Sequence, residues 1–256
     1  SFTTEQVKES FASVNELNAF LSMLETGVKN SMTVKLDGLI MRTINNFTGQ
    51  IINSGQAMQK VNLLADYNTA TGQTLKANKA LLDKDFLKYA SLVIKKYQAR
   101  ITKMSTLFNQ GAKARFTNIN DLHTVLLSDF ADSAEVYLMS DTYHNDTVSL
   151  PQHETVPYWQ GSGKNYDFNS ISSIDVKINA GNKTAKEIKQ TGIVGVMFDT
   201  NALGVSNLNQ RTTTAYNARA EFYTNFYKMD AGYFNDLNEN FVVFYIADPV
   251  SAGAGA

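Results

Sequence analysis

Apolar residues recur at spacings of three and four from the start of the chain: Val7, Phe11, Val14, Leu17, Phe20, Leu21, Leu24 and Val28. That period lays one apolar stripe along a helix. Met32, Leu36, Leu39, Ile40, Ile44 and Phe47 continue it. Thr3 followed three residues later by Gln6 forms a capping box, which predicts the helix start there. Gly27 and Gly38 each cost about 1 kcal/mol against alanine, which predicts two or three helical pieces rather than one rod. Residues 53 to 80 are rich in Asn, Gly, Thr and Ala, and read as a loop carrying a short helix near Val61, Leu63 and Leu64. The helical period then returns through Leu82, Phe86, Leu87, Ala90, Val93, Ile94, Tyr97, Ile101, Met104, Leu107 and Phe108, with Gly111 as the predicted C-cap. Lys95, Lys96, Arg100 and Lys103 crowd its second half, a solvated basic face favoured near a helix C-terminus; contact with DNA or a partner is the sharper alternative.

After Phe116 the pattern shortens to strand-like runs. Leu122 to Leu127 predicts a strand, and Val136 to Met139 a strand or a helix end. Residues 140 to 170 hold Pro151, Pro157, Gly161 and Gly163, and predict an irregular excursion. Ile174, Val176 and Ile178 alternate as in a half-buried strand, whereas Ile193 to Asp199 is nearly continuous and fits a strand buried on both faces. Aromatic residues crowd positions 216 to 229, and Phe241 to Ile246 forms a last apolar run. Turn chemistry between them, at Asp230-Ala231-Gly232 and Asn235-Asp236-Leu237-Asn238, predicts that these two runs pair as a hairpin or as neighbours. The final Ser-Ala-Gly repeat has nothing to bury and predicts a flexible tail over 249–256.

Composition narrows the function classes. With 256 residues and 43% hydrophobic content, the chain has enough apolar material for one large domain or two modest ones. A formal net charge of -1 gives no overall field toward nucleic acid or an anionic membrane, so any DNA contact is local. The absence of cysteine removes disulfides, thiolate nucleophiles and thiolate-ligated metals together. Neither a signal peptide nor an apolar run of membrane-spanning length is present, and the missing initiating Met predicts a start inside a longer precursor.

Catalytic chemistry finds little support. Asp141, His144 and Asp146 could ligate a metal, yet they lack a helical His pair or other demanding spacing. His153 beside Glu154 is a weak acid–base candidate on a loop, read as surface decoration. Gly161-Ser162-Gly163-Lys164 lacks the spacing and the Ser or Thr of a phosphate loop, since Asn165 follows. No nucleophile elbow or dinucleotide fingerprint occurs, so neither catalytic residues nor a cofactor or metal is assigned. Tyr216, Phe222, Tyr223, Phe226, Tyr227, Tyr233 and Phe234, with Arg211, Arg219 and Lys228 nearby, could stack nucleic-acid bases, but ordinary strand packing explains them better.

The order of these elements resembles an α+β family, the capsid fold shared by tailed phages and herpesviruses, and most nearly the major capsid proteins of short-tailed phages. Asp121-Leu122-His123-Thr124-Val125-Leu126-Leu127-Ser128 is similar to the passage entering the axial domain of that fold. The run Thr191 to Val205 is similar to the strand and turn leading out, and Arg211 to Ile246 to the closing strands. The resemblance implies a peripheral domain holding a long spine helix, a second helix and a narrow sheet, and an axial mixed domain. Mapped onto this chain, 1–115 is the helical part of the peripheral domain, 116–208 the axial domain, and 209–248 the returning peripheral strands. It implies no enzyme activity, but a structural virion protein that assembles with itself into hexamers and pentamers in the host cytoplasm. Scaffolding, decoration and portal proteins are further partners it admits, with packaged DNA near but not gripped and no membrane. Arg211, Arg219 and Lys228 are the candidate intersubunit salt-bridge residues. The family's N-terminal arm and extended loop precede the spine helix, and Ser1 begins almost at that helix, so those contacts are not located in this sequence. A bacterial filament or surface-layer protein fits the same composition, although flagellin-like chains bring helices together at both ends; a hydrolase with an unrecognised site is the third class.

Overall fold

The computed structural model describes residues 2–3, 14–140, 150–159, 171–178, 186–219 and 222–248. The chain divides into two compact units, one of residues 1–40 with 205–234, the other of residues 41–204 with 235–256.

The second unit is organised by a five-stranded sheet in the order β2-β10-β7-β3-β4, with β2 at Lys60–Asn62, β3 at Leu122–Leu127, β4 at Glu154–Val156, β7 at Ile193–Asp199 and β10 at Phe241–Tyr245. β7 runs antiparallel to both neighbours, pairing Val196 with Val243 and with Val125. All seven of its residues are buried, as the unbroken apolar run predicts. Both faces of the sheet are covered. The last third of helix α1 (Val14–Ser54) brings Phe47 edge-on to Phe241 at 4.3 Å, and Phe241 stacks on Phe198 at 5.5 Å. Phe244, three residues along β10, instead meets Tyr97 of helix α4 (Lys84–Ile101) at 5.5 Å. Helices α2 (Leu63–Thr71) and α5 (Ser128–Ser140) pack against α4, and β5 (Ile174–Ile178) pairs with β6 (Lys186–Gln190) as a separate two-stranded sheet. β5 buries Ile174, Val176 and Ile178 in the alternation its sequence predicts.

Polar groups fix the sheet's margin. The buried Gln59 amide donates to the carbonyls of Phe108 and Phe241, each at 3.0 Å, while its oxygen accepts the Gln56 N–H at 2.9 Å. This ties the chain before β2 to the start of β10. Gly195 sits where a Cβ would strike the Leu126 side chain and the Val125 carbonyl, so β3 and β7 approach each other as closely as they do only because the position has no side chain.

Four sequence expectations are corrected. α1 is continuous through Gly27 and Gly38, because 41 residues of helix and the packing at its end outweigh two propensity losses. α4 stops at Ile101, not at Gly111; the backbone then turns and Ser105 forms an antiparallel bridge with Arg115. Met104 and Leu107 keep helical spacing but are exposed, which is why periodicity alone overran the end. Residues 53 to 80 are more ordered than a loop, carrying β2, α2 and the short helix α3 (Ala77–Ala80), with Val61, Leu63 and Leu64 all in the core. Finally, the aromatic run after Tyr216 does not pair with Phe241–Tyr245; it pairs with the strand before it. Val136 to Met139 is the end of a helix, the second of the two alternatives. Thr3 lies in a short strand, and the predicted helix start after it, like the tail, lies outside the described residues.

Two measurements check this architecture. Gly195→Val destabilises the protein by about 1–3 kcal/mol in denaturant unfolding, because the sheet must open to admit the side chain. Asp236, which accepts the Asn238 backbone N–H at 2.9 Å and also the Asn238 side-chain amide, holds its carboxyl below the ordinary value of 3.8, chiefly through that backbone bond. A depressed folded-state pKa means the stabilisation is present above pH 3.8 and disappears as pH falls through the folded value. Unfolding midpoints of Asp236→Ala should therefore lie below the parent's at pH 7 and converge with them in acid.

Candidate functional site

Among the described residues, the first unit presents a long run of exposed strand. β8 (Leu203–Asn217) and β9 (Phe222–Asn235) form a long ribbon, joined on the β9 side by the two-residue strand β1 (Phe2–Thr3), in the order β1-β9-β8. From Ser206 to Asn217 every β8 side chain is exposed. Thr214 Oγ1 donates to Asn225 Oδ1 at 2.7 Å on one face, and Arg211 pairs with Asp230 at 2.7 Å across the strands. Leu208 is 74% exposed, and the adjacent Tyr233 and Phe234 are 64% and 54% exposed. Neighbours in a strand point to opposite faces, so the ribbon carries bare aromatic surface on both sides.

The packing expectation for the aromatic run holds in part: Tyr227 is half-buried, and the side chains of Phe222 and Tyr223 lie outside the described ones. Tyr216, Phe226, Tyr233 and Phe234 are strand residues that stay about half or more exposed. In the same unit, α1 from Asn15 to Ile40 is exposed along most of its surface, with Met23 and Val34 open. Among the described side chains of the predicted stripe up to Ile40, Phe20, Val28, Met32, Leu36 and Leu39 are half-buried, and Gly38 beside them is buried. Glu25 binds the Lys29 ammonium at 2.9 Å and holds it above its usual pKa.

All three predicted contact residues lie on the ribbon. Arg211 is in β8, Arg219 in the turn, where its N–H donates to Asn217 Oδ1 at 3.1 Å, and Lys228 in β9 two residues before Asp230. Arg211 has an intrachain partner in Asp230, while Arg219 and Lys228 are exposed. The sequence brought out the cations of this surface; exposure of its aromatics left no sequence signal, since strand cores use the same residues.

The weak catalytic candidates do not converge. His153 Nδ1 lies 2.7 Å from the Pro151 carbonyl rather than against Glu154. Glu154 instead approaches His123 Nδ1 at 3.7 Å, with His123 stacked on Phe198. Asp141, His144, Asp146 and the segment 161–164 lie outside the described residues. Among the described residues no cluster of His, Asp and Glu could hold a metal ion, and no helix is long and apolar enough to cross a membrane.

A surface of this kind, with exposed aromatic and aliphatic side chains, fits a protein that works by contact. The family model for Phi29-like phage major capsid proteins matches residues 1–245. The chain belongs to that family. Its fold is also similar to a capsid structure of Staphylococcus phage Andhra, with 11% sequence identity and a TM-score of 0.58 over 96% of this chain and 68% of that one. No curated protein matches by sequence. A major capsid protein is structural, not enzymatic, and its place is the virion.

Because both partners of the Arg211–Asp230 pair are about half exposed, solvent screens it. Arg211→Ala should change folding stability by less than about 1 kcal/mol in thermal unfolding.

Proposed function

We propose that this capsid protein closes with copies of itself into hexamers and pentamers of an icosahedral head enclosing DNA, and that the β8–β9 ribbon with the exposed part of α1 forms the contact surface. The observation that supports this is a strand ribbon whose Phe226, Tyr233 and Phe234 are about half or more exposed, the last two on opposite faces. A water-soluble fold leaves such surface bare only where something else covers it. Copies of one chain meeting through different patches close into rings when the rotation permits.

In this reading the long helix and the ribbon serve as the peripheral part, and the five-stranded sheet as the axial part. We include β2 and β10 with the axial part, although the resemblance put 1–115 and 209–248 in the peripheral one, since both belong to the sheet of β3 and β7. Arg219 and Lys228 form salt bridges to neighbouring copies, and Arg211 joins them by exchanging Asp230 for a neighbour's carboxylate. Assembly takes place in the host cytoplasm, with scaffolding, decoration and portal proteins as further partners and DNA held inside without specific grip.

Electron microscopy of the expressed protein tests this. Closed shells or capsomer rings are expected; helical filaments would favour the filament reading and overturn this one. Phe226→Asp with Phe234→Asp should keep the circular dichroism spectrum and raise the concentration needed for assembly at least tenfold. Arg219→Glu with Lys228→Glu should weaken assembly in a salt-dependent way, and no change in either double variant would remove the ribbon as the contact.

A further inference from the structure

The outer edge of β8 is open. The ribbon's sheet runs β1-β9-β8, so β9 lies between two strands while β8 has one neighbour, and among the described residues no strand pairs with its other side. From Ser206 to Asn217 that edge is about 40 Å long at the rise of an extended chain. A strand paired on one side turns alternate N–H and C=O groups away from its neighbour. Folded proteins blunt such an edge with proline, lysine, a short strand or a covering element. β8 contains neither proline nor lysine, runs for 15 residues and carries a single charge, Arg211. The far edge of β9, by contrast, is taken at Phe222 and Tyr223 by β1 of the same chain.

We propose that β8 pairs edge to edge with β8 of a second copy, antiparallel about a two-fold axis, so that two ribbons join in one continuous sheet. This rests on the reading of the ribbon as a contact surface and names the partner of one of its edges. An open strand edge is recognised by another extended strand. Membership of a capsid protein family puts identical copies beside it.

Three features favour β8 of the copy over its β9. Identical edges meeting antiparallel are self-complementary and stop at two copies, whereas β8 on a neighbour's β9 leaves a free edge at each end for further copies. Centring the pair on Thr213 sets Thr212, Thr213 and Thr214 against the same three residues of the copy, and threonine pairs are favourable across strands. That register also puts Arg211 opposite Ala215 of the second copy. A pairing centred on Arg211 or next to it would bring two guanidinium groups together, so the one charge on the strand selects against those registers.

A cysteine scan tests this on the full chain, which has no cysteine of its own to form competing links. Ser206→Cys, Gln210→Cys, Thr213→Cys and Tyr216→Cys are made singly, oxidised with copper phenanthroline before and after assembly, and read as disulfide-linked dimer on a non-reducing gel. Thr213→Cys should give the most dimer, at least tenfold more than Ser206→Cys, with the circular dichroism spectrum unchanged. A mixture of Gln210→Cys with Tyr216→Cys, which this register sets opposite each other, should link better than either variant alone. No dimer at any site, or a scan without its maximum at Thr213, would overturn the proposal. Stronger linkage when Thr213→Cys is mixed with Asn225→Cys or Ala231→Cys would give the edge to β9 and likewise overturn it. Particles that depend on Phe226 and Phe234 but show no link along β8 sink this inference alone. Dimer at Thr213 with assembly indifferent to Phe226 and Phe234 removes the aromatic contact and leaves the edge pairing standing.

Discussion

The Phe241 ring, held between Phe47 of α1 and Phe198 of β7, is the contact on which the second unit depends. It joins the end of the chain, the end of the long helix and the central strand in one place. Three segments distant in sequence must therefore arrive together before any of them is buried. Loop closure over such separations is entropically costly, and the return is a sheet shielded on both faces. Phe244 and Tyr97 repeat the arrangement on the opposite face, which is why β7 and β10 tolerate no polar interruption.

The first unit is built differently: its β8–β9 ribbon leaves Tyr216, Phe226, Tyr233 and Phe234 about half or more exposed. Exposed strand edges usually invite uncontrolled pairing, and proteins restrain this with charge. Here Arg211, Arg219, Lys228 and Asp230 are spread along the two strands and their turn, so the surface that offers hydrophobic gain also carries charges that penalise a wrong register. A shell subunit needs both properties, attraction to its copies and discrimination among the ways of meeting them.

How much of this the sequence disclosed follows from what each pattern measures. β7 was legible because burial on two faces leaves an unbroken apolar run, and β5 because burial on one face leaves alternation. The identity of β9's partner was not, since pairing depends on which segments meet in space and Phe241 to Tyr245 has the composition of a hairpin partner as well as of a core strand. The end of α4 was hidden by Met104 and Leu107, which keep the period after the helix has stopped. Arg211, Arg219 and Lys228 were found as cations near aromatics, but the aromatics were assigned to packing. Propensity reports fitness for a strand and is silent on whether another layer lies above it.

The charge of the chain carries the last step. A net of -1 suggests indifference to charged partners, yet it is the sum of a carboxylate-free stretch at 86–120 and an acidic remainder. Screening in physiological salt confines each surface charge to roughly 8 Å, so a partner senses the local patch and not the total. Within the stretch Arg115 is already paired with Glu239 at 3.2 Å, so part of its charge is met inside the fold while the whole chain stays close to neutral. That combination suits a wall built from many copies, since accumulated net charge would oppose assembly and a local patch would not.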